Sequence, residues 1–130
     1  MKGLLLADID GTLVDPLGRF WKESLCIAEL AEDLDCHLAL CSGRPVWSVI
    51  KLAEQLGPSA TFAASFQGAM ISRRLTGDEC QPWELLVSHF LEPKLEESIE
   101  ALVESRDSFW QFTDTDWYIR SINKAAISEF

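Results

Sequence analysis

The chain has 130 residues, close to the span of one compact domain at about 150 residues per domain. Hydrophobic residues make up 48% and charged residues 25%, a globular mixture that excludes a disordered chain and needs no disulfide or structural metal. Acids outnumber bases in both halves, and the net charge of -10 excludes phosphate backbones and anionic lipid surfaces as favoured partners.

The uninterrupted apolar run Leu4 to Ala7, ending at Asp8, predicts a strand buried on both faces. A turn-rich stretch follows from Asp10-Gly11 through Pro16 to Gly18. Trp21, Leu25, Ala28 and Ala31 recur at helical spacing and predict an amphipathic helix ending near Leu34. His37 to Cys41 is a second apolar run. Pro45 then suits the first turn of a helix whose stripe is Val46, Val49, Ile50, Ala53 and Leu56. Gly57-Pro58 stops that helix, and Thr61 to Ala64 is a third short strand. Strand, helix, strand, helix, strand implies an α/β fold built on a parallel sheet with right-handed crossovers.

After Gly68 the pattern changes. Ala69 to Arg73 and Trp83 to Val87 flank Thr76-Gly77-Asp78, as in an antiparallel hairpin. Pro93 opens a helix with Leu95, Ile99, Leu102 and Val103 on one face, and Phe109 to Phe112 and Trp117 to Ile119 read as two more strands. The switch to segregated elements places a second, smaller module from about residue 72, giving domains 1–71 and 72–130.

In open parallel sheets, ligands bind beyond the carboxyl ends of the strands. That rule selects Asp8-Ile9-Asp10-Gly11-Thr12 and Ser42-Gly43-Arg44. The first offers two carboxylates on alternate residues, a tight turn at Gly11 and the Thr12 hydroxyl. The second offers a hydroxyl, a flexible Gly43 and a helix N-terminus, which together favour an anion such as phosphate. Carboxylates alone would repel phosphate, so a bridging divalent cation is implied, and hard oxygen ligands suit Mg²⁺.

The segment Leu4-Leu5-Leu6-Ala7-Asp8-Ile9-Asp10-Gly11-Thr12-Leu13 resembles the first motif of the haloacid dehalogenase (HAD) superfamily, and Ser42-Gly43-Arg44-Pro45 resembles its second. Ser65-Phe66-Gln67-Gly68-Ala69-Met70-Ile71 is similar to the segment leading into the cap of Cof-type phosphatases, with Gln67 where that group has Asn. Asp116-Trp117-Tyr118-Ile119 resembles a strand in the first half of the cap. The resemblance implies a HAD-like Rossmannoid sheet followed by the start of an α+β (C2-type) cap. It also implies a Mg²⁺-dependent phosphomonoester hydrolase acting on a small phosphorylated metabolite. In that scheme Asp8 attacks phosphorus to form an aspartyl-phosphate, while Asp10 acts as general acid and then base. Asp8 and the Asp10 main-chain carbonyl hold Mg²⁺, Ser42 and Gly43 bind the phosphoryl group, and Thr12 steadies the first loop.

The superfamily's third motif, a Lys, and its fourth, an acidic cluster, are not visible. Only Glu129 follows Asp116 among the acids, and Lys124 reads as a solvated cap lysine. The resemblance places Phe130 in mid-cap, so the expectation is an incomplete chain that alone is inactive or weakly active. A non-catalytic HAD-fold remnant, serving as a binding or regulatory module, is the alternative. Half a sheet would leave an exposed edge, and self-association through it is expected. Arg44 reads as a surface or salt-bridging residue in preference to a phosphate clamp, and Asp15 as a turn residue. His37 and His89 read as structural, as do Trp21 and Trp47 on their helices, while Trp83, Trp110 and Trp117 fall in the cap-like region. Cys26, Cys36, Cys41 and Cys80 show no CxxC and read as reduced thiols, three of them in buried segments, in a cytoplasmic protein. No stretch has the length of a membrane helix.

Overall fold

Five strands run side by side in chain order in one sheet: β1 (Gly3–Asp8), β2 (Cys36–Cys41), β3 (Ala60–Ser65), β4 (Met70–Arg74) and β5 (Trp83–Ser88). The structure is a computed structural model that describes residues 3–77, 82–104, 109–113 and 115–120. β1, β2 and β3 are mutually parallel because a helix separates each pair: α1 (Cys26–Asp33) and α2 (Val46–Leu56). β4 and β5 add in antiparallel fashion, as the hairpin signal predicts.

Both helices pack on one face of this sheet. Leu38, Leu40, Ala60 and Ala63 from the strands meet Ala28 and Ala31 of α1 and Val49, Leu52, Ala53 and Leu56 of α2. Pro45 caps α2 and Gly57, with φ of +99°, ends it in a conformation that a side chain would strain. The other face is bare at β1, where Leu4 is 56% and Leu6 65% exposed. The expectation of a strand buried on both faces therefore fails for β1. Among the described residues both helices lie on one face of the sheet, so Leu4 and Leu6 on the other face have nothing to cover them.

Three other expectations need correction. The helix read from Trp21 starts only at Cys26, after a 3₁₀ turn at Glu23–Leu25, and Trp21 stays 44% exposed. Trp47 is also exposed and meets Phe66 edge to face instead of packing in the core. Cys26 is exposed and Cys36 and Cys41 are half-buried, all three as free thiols. His37 does act structurally, its Nδ1 lying 2.7 Å from Thr61 Oγ1 and its ring edge-on to Phe62.

The chain forms two compact units, Met1–His89 and Phe90–Phe130. The first takes in the whole β4–β5 hairpin, whereas the change of patterning puts a boundary near residue 72, inside β4. Antiparallel strands extended the parallel sheet here instead of leaving it. The second unit contains α3 (Pro93–Leu102) and the antiparallel pair β6 (Trp110–Phe112) and β7 (Trp117–Ile119). Gln111 Nε2 donates to Glu96, and Arg120 Nη1 to the Val103 carbonyl at 3.1 Å. Trp110, Phe112 and Trp117 cluster on the strand pair. The apolar face expected of α3 is partly covered among the described residues: Ile99 and Val103 are half-buried, whereas Leu95 is exposed and Leu102 is 82% exposed. Asp78, Cys80 and Lys124 lie outside the described residues. Among the described residues no helix is long and apolar enough to cross a membrane.

Candidate active site

The carboxyl ends of β1 and β2 place two short loops side by side, since Asp8 and Cys41 are partners in register. After β1, fully buried Ile9 anchors the first loop. Its carbonyl accepts the N–H groups of Thr12, Leu13 and Val14 at 3.2, 2.8 and 3.0 Å. Gly11 takes φ of +77° at the turn, a conformation that favours glycine. With Ile9 held inward, Asp8 and Asp10 on either side of it face solvent. Thr12 Oγ1 donates to Asp8 Oδ2 at 3.1 Å, so the hydroxyl fixes one carboxylate oxygen.

The second loop is buried at Ser42, whose N–H donates to the Ala64 carbonyl at 3.0 Å. Ser42 Oγ accepts the Arg44 N–H at 3.1 Å and donates to Asp10 Oδ2 at 3.4 Å. Arg44 then reaches across to the first loop. Its Nη2 lies 2.7 Å from Asp10 Oδ1, and its Nε lies 2.9 Å from Oδ2 and 3.2 Å from Oδ1. These hydrogen bonds favour the ionised carboxylate and hold Asp10 below the ordinary carboxyl value, against a smaller opposing effect of burial. Burial, aided by the negative charge of Asp8, pushes the Cys41 thiol up.

A third loop closes the rim. Phe66 and Gln67 both adopt left-handed backbone, with φ of +51° and +57°, which costs non-glycine residues energy unless the surroundings enforce it. The enforcement is visible: Phe66 N–H donates to the Arg44 carbonyl and Gln67 N–H to the Ser42 carbonyl, each at 3.1 Å. The Gln67 amide then lies so close over Gly43 that a Cβ there would sit 2.6 Å from Nε2. A side chain at position 43 would therefore have to displace the flexible end of Gln67.

The residues selected from the sequence thus fall at two adjacent loops. Asp10 and Ser42 touch, Asp8 and Thr12 touch, and Gly43 shapes the turn between Ser42 and Arg44. The sequence marks Arg44 as a surface or salt-bridging residue in preference to a phosphate clamp, and does not show that its partner is Asp10. A forked cation two residues beyond the Ser42 hydroxyl, on the loop next to a carboxylate pair, was the available signal. Asp15 is a turn residue, accepting from the N–H groups of Leu17 and Arg19 and from the Arg19 guanidinium.

A family model of the haloacid dehalogenase-like hydrolases matches residues 5–130, nearly the whole chain. The chain belongs to that family. This haloacid dehalogenase-like protein is 22% identical to a haloacid dehalogenase-like hydrolase from B. subtilis, with a TM-score of 0.77 over 99% of this chain and 42% of that one. The HAD subclass IIB sugar phosphatase BT4131 superposes with a TM-score of 0.71 at 18% identity, over 97% of this chain and 46% of that one. A Streptococcus pyogenes serotype M6 protein with a provisional phosphatase name is 31% identical over 78 residues, 58% of this chain and 29% of that protein. The chain therefore spans less than half the length of these relatives.

Among the described residues, no three His, Cys, Asp or Glu side chains gather as a metal-binding group. Mg²⁺ asks less than that of a protein, typically one or two carboxylates completed by water and substrate oxygens. The Asp8 carboxylate and the Asp10 main-chain carbonyl match it as hard oxygen donors, while the Asp10 carboxylate is engaged by Arg44.

Proposed function

We propose that this protein is a phosphomonoester hydrolase acting on a small phosphorylated metabolite through an aspartyl-phosphate. The observation that carries the reading is two solvent-facing carboxylates flanking buried Ile9 at the end of β1, with the Ser42 hydroxyl of the neighbouring loop bonded to one of them. Asp8, steadied by Thr12, attacks phosphorus. The bond from phosphorus to the ester oxygen breaks, and the leaving oxygen takes its electron pair and a proton from Asp10. Asp10 then takes a proton from water as the water oxygen attacks phosphorus, which releases phosphate and restores the Asp8 carboxylate. The Arg44 fork favours the ionised form that this second step uses, so protonating Asp10 for the first step is the costlier of the two. The Ser42 hydroxyl and the Gly43 N–H hold the phosphoryl oxygens at the start of α2.

Asp8 and the Asp10 carbonyl would hold Mg²⁺, which would supply charge neutralisation between the nucleophile and the phosphate. With so few protein donors, its binding to this chain is weak. Isothermal titration giving micromolar Mg²⁺ affinity would contradict that donor set. The protein acts in the cytoplasm, away from nucleic acid and membranes, and the open outer edge of β1 supports self-association.

The decisive experiment is Asp8→Asn in the intact protein, assayed with Mg²⁺ and a simple phosphomonoester. Loss of all turnover with an unchanged circular dichroism spectrum is expected. Retained turnover excludes Asp8 as the nucleophile. An intact wild-type protein that neither turns over phosphomonoesters nor becomes phosphorylated would instead favour the non-catalytic binding module.

A further inference from the structure

We propose that Arg44 is a positioning residue, one that fixes the direction of the Asp10 carboxylate and does not itself hold the phosphoryl group. The inference rests on the phosphatase reading for its functional meaning, but the positioning is a matter of geometry alone. Arg44 spends two of its nitrogens, Nε and Nη2, on both oxygens of Asp10, a two-pronged contact that sets orientation as well as distance. The third, Nη1, donates to Ser48 Oγ at 3.3 Å and ties the fork to the first turns of α2. Main-chain contacts hold the base of the side chain on both sides: its N–H is bound by Ser42 Oγ and its carbonyl by the Phe66 N–H.

Stability does not account for the arrangement. The side chains of Arg44 and Asp10 are 30% and 56% exposed, and ion pairs so wet contribute little to folding. What the fork removes is rotational freedom. Asp10 sits on an exposed loop, and the Ser42 hydroxyl assists Arg44 there at 3.4 Å. A carboxylate that must meet first a leaving oxygen and then a water gains from being held in one direction. Lysine carries the same charge without the planar fork and cannot impose that direction. The left-handed Phe66–Gln67 pair serves the same end, since its two N–H groups bind the Arg44 and Ser42 carbonyls and hold the turn from which the fork projects.

The test is nuclear magnetic resonance on the isotope-labelled chain at one fixed neutral pH, with inorganic phosphate as the probe. In the wild type, the Arg44 Nε–H resonance should exchange slowly with solvent, and Asp10→Asn should abolish that protection. Arg44→Lys should move the Asp10 carboxyl carbon signal while leaving phosphate affinity within about twofold of wild type. An unchanged Asp10 carboxyl signal in Arg44→Lys, or an unprotected Arg44 Nε–H in the wild type, overturns the proposal. Phosphate affinity weakened about tenfold in Arg44→Lys also overturns it, by making Arg44 a ligand of the anion. If phosphate perturbs none of Asp8, Asp10, Ser42 and Gly43, the phosphatase reading fails. The protection of Arg44 and the response of Asp10 still decide the positioning.

Discussion

The two faces of the first unit's sheet have the same apolar character and opposite fates. On one, Leu38, Leu40, Ala60 and Ala63 are buried beneath α1 and α2. On the other, Leu4 and Leu6 stand open beside half-buried His37 and Phe62. The difference teaches that an apolar run records what a strand is suited to, whereas burial depends on which elements are at hand to cover it. The second unit carries the lesson further, for none of its described side chains is buried.

The largest test of this contrast is a pair of truncations. Leu38→Ala should cost about 2–5 kcal/mol, the usual range for a filled core position. Leu6→Ala on the open face should stay within about 0.5 kcal/mol of wild type. Equal losses in denaturant titrations of the two variants would mean that the open face is covered after all. A sharper probe is Leu6→Lys, which places a charge on the exposed edge strand. Sedimentation should show the wild type associating as concentration rises and this variant remaining monomeric. A wild type that is monomeric throughout would leave the edge unused.

The smallest effect lies at the site. The pKa of Asp10 is lowered in the folded protein, so the Arg44 contact stabilises the fold above the ordinary value of 3.8 and loses that effect as pH falls through the lower, folded-state value. Half exposure limits the gain to about a few tenths of a kcal/mol. The stability difference between wild type and Asp10→Asn should therefore shrink as pH drops below 3.8. A difference that stays constant through that range would show that the fork does not favour the charged form.

Much of this was legible in the sequence. The alternation of apolar runs and helical stripes located β1 to β3, α1 and α2, because each element has a period of its own. The ends of the first two strands located Asp8, Asp10 and Ser42 without knowledge of their contacts. Legibility stopped where residues distant in the chain meet. The pairing of Arg44 with Asp10 depends on the register of β1 against β2, which no local pattern contains. The crowding of Gly43 by Gln67 depends on two left-handed residues that are not glycine and so carry no signal. The edge position of β1 is a matter of sheet order, and a run of leucines is silent about order.

Cys41 lies beside Asp8 across the β1–β2 pair, and its thiol is held in the protonated form by burial and by its anionic neighbour. The consequence concerns reactivity. The thiolate is the nucleophilic form of cysteine, so a thiol-directed alkylating reagent should modify half-buried Cys41 more slowly than exposed Cys26.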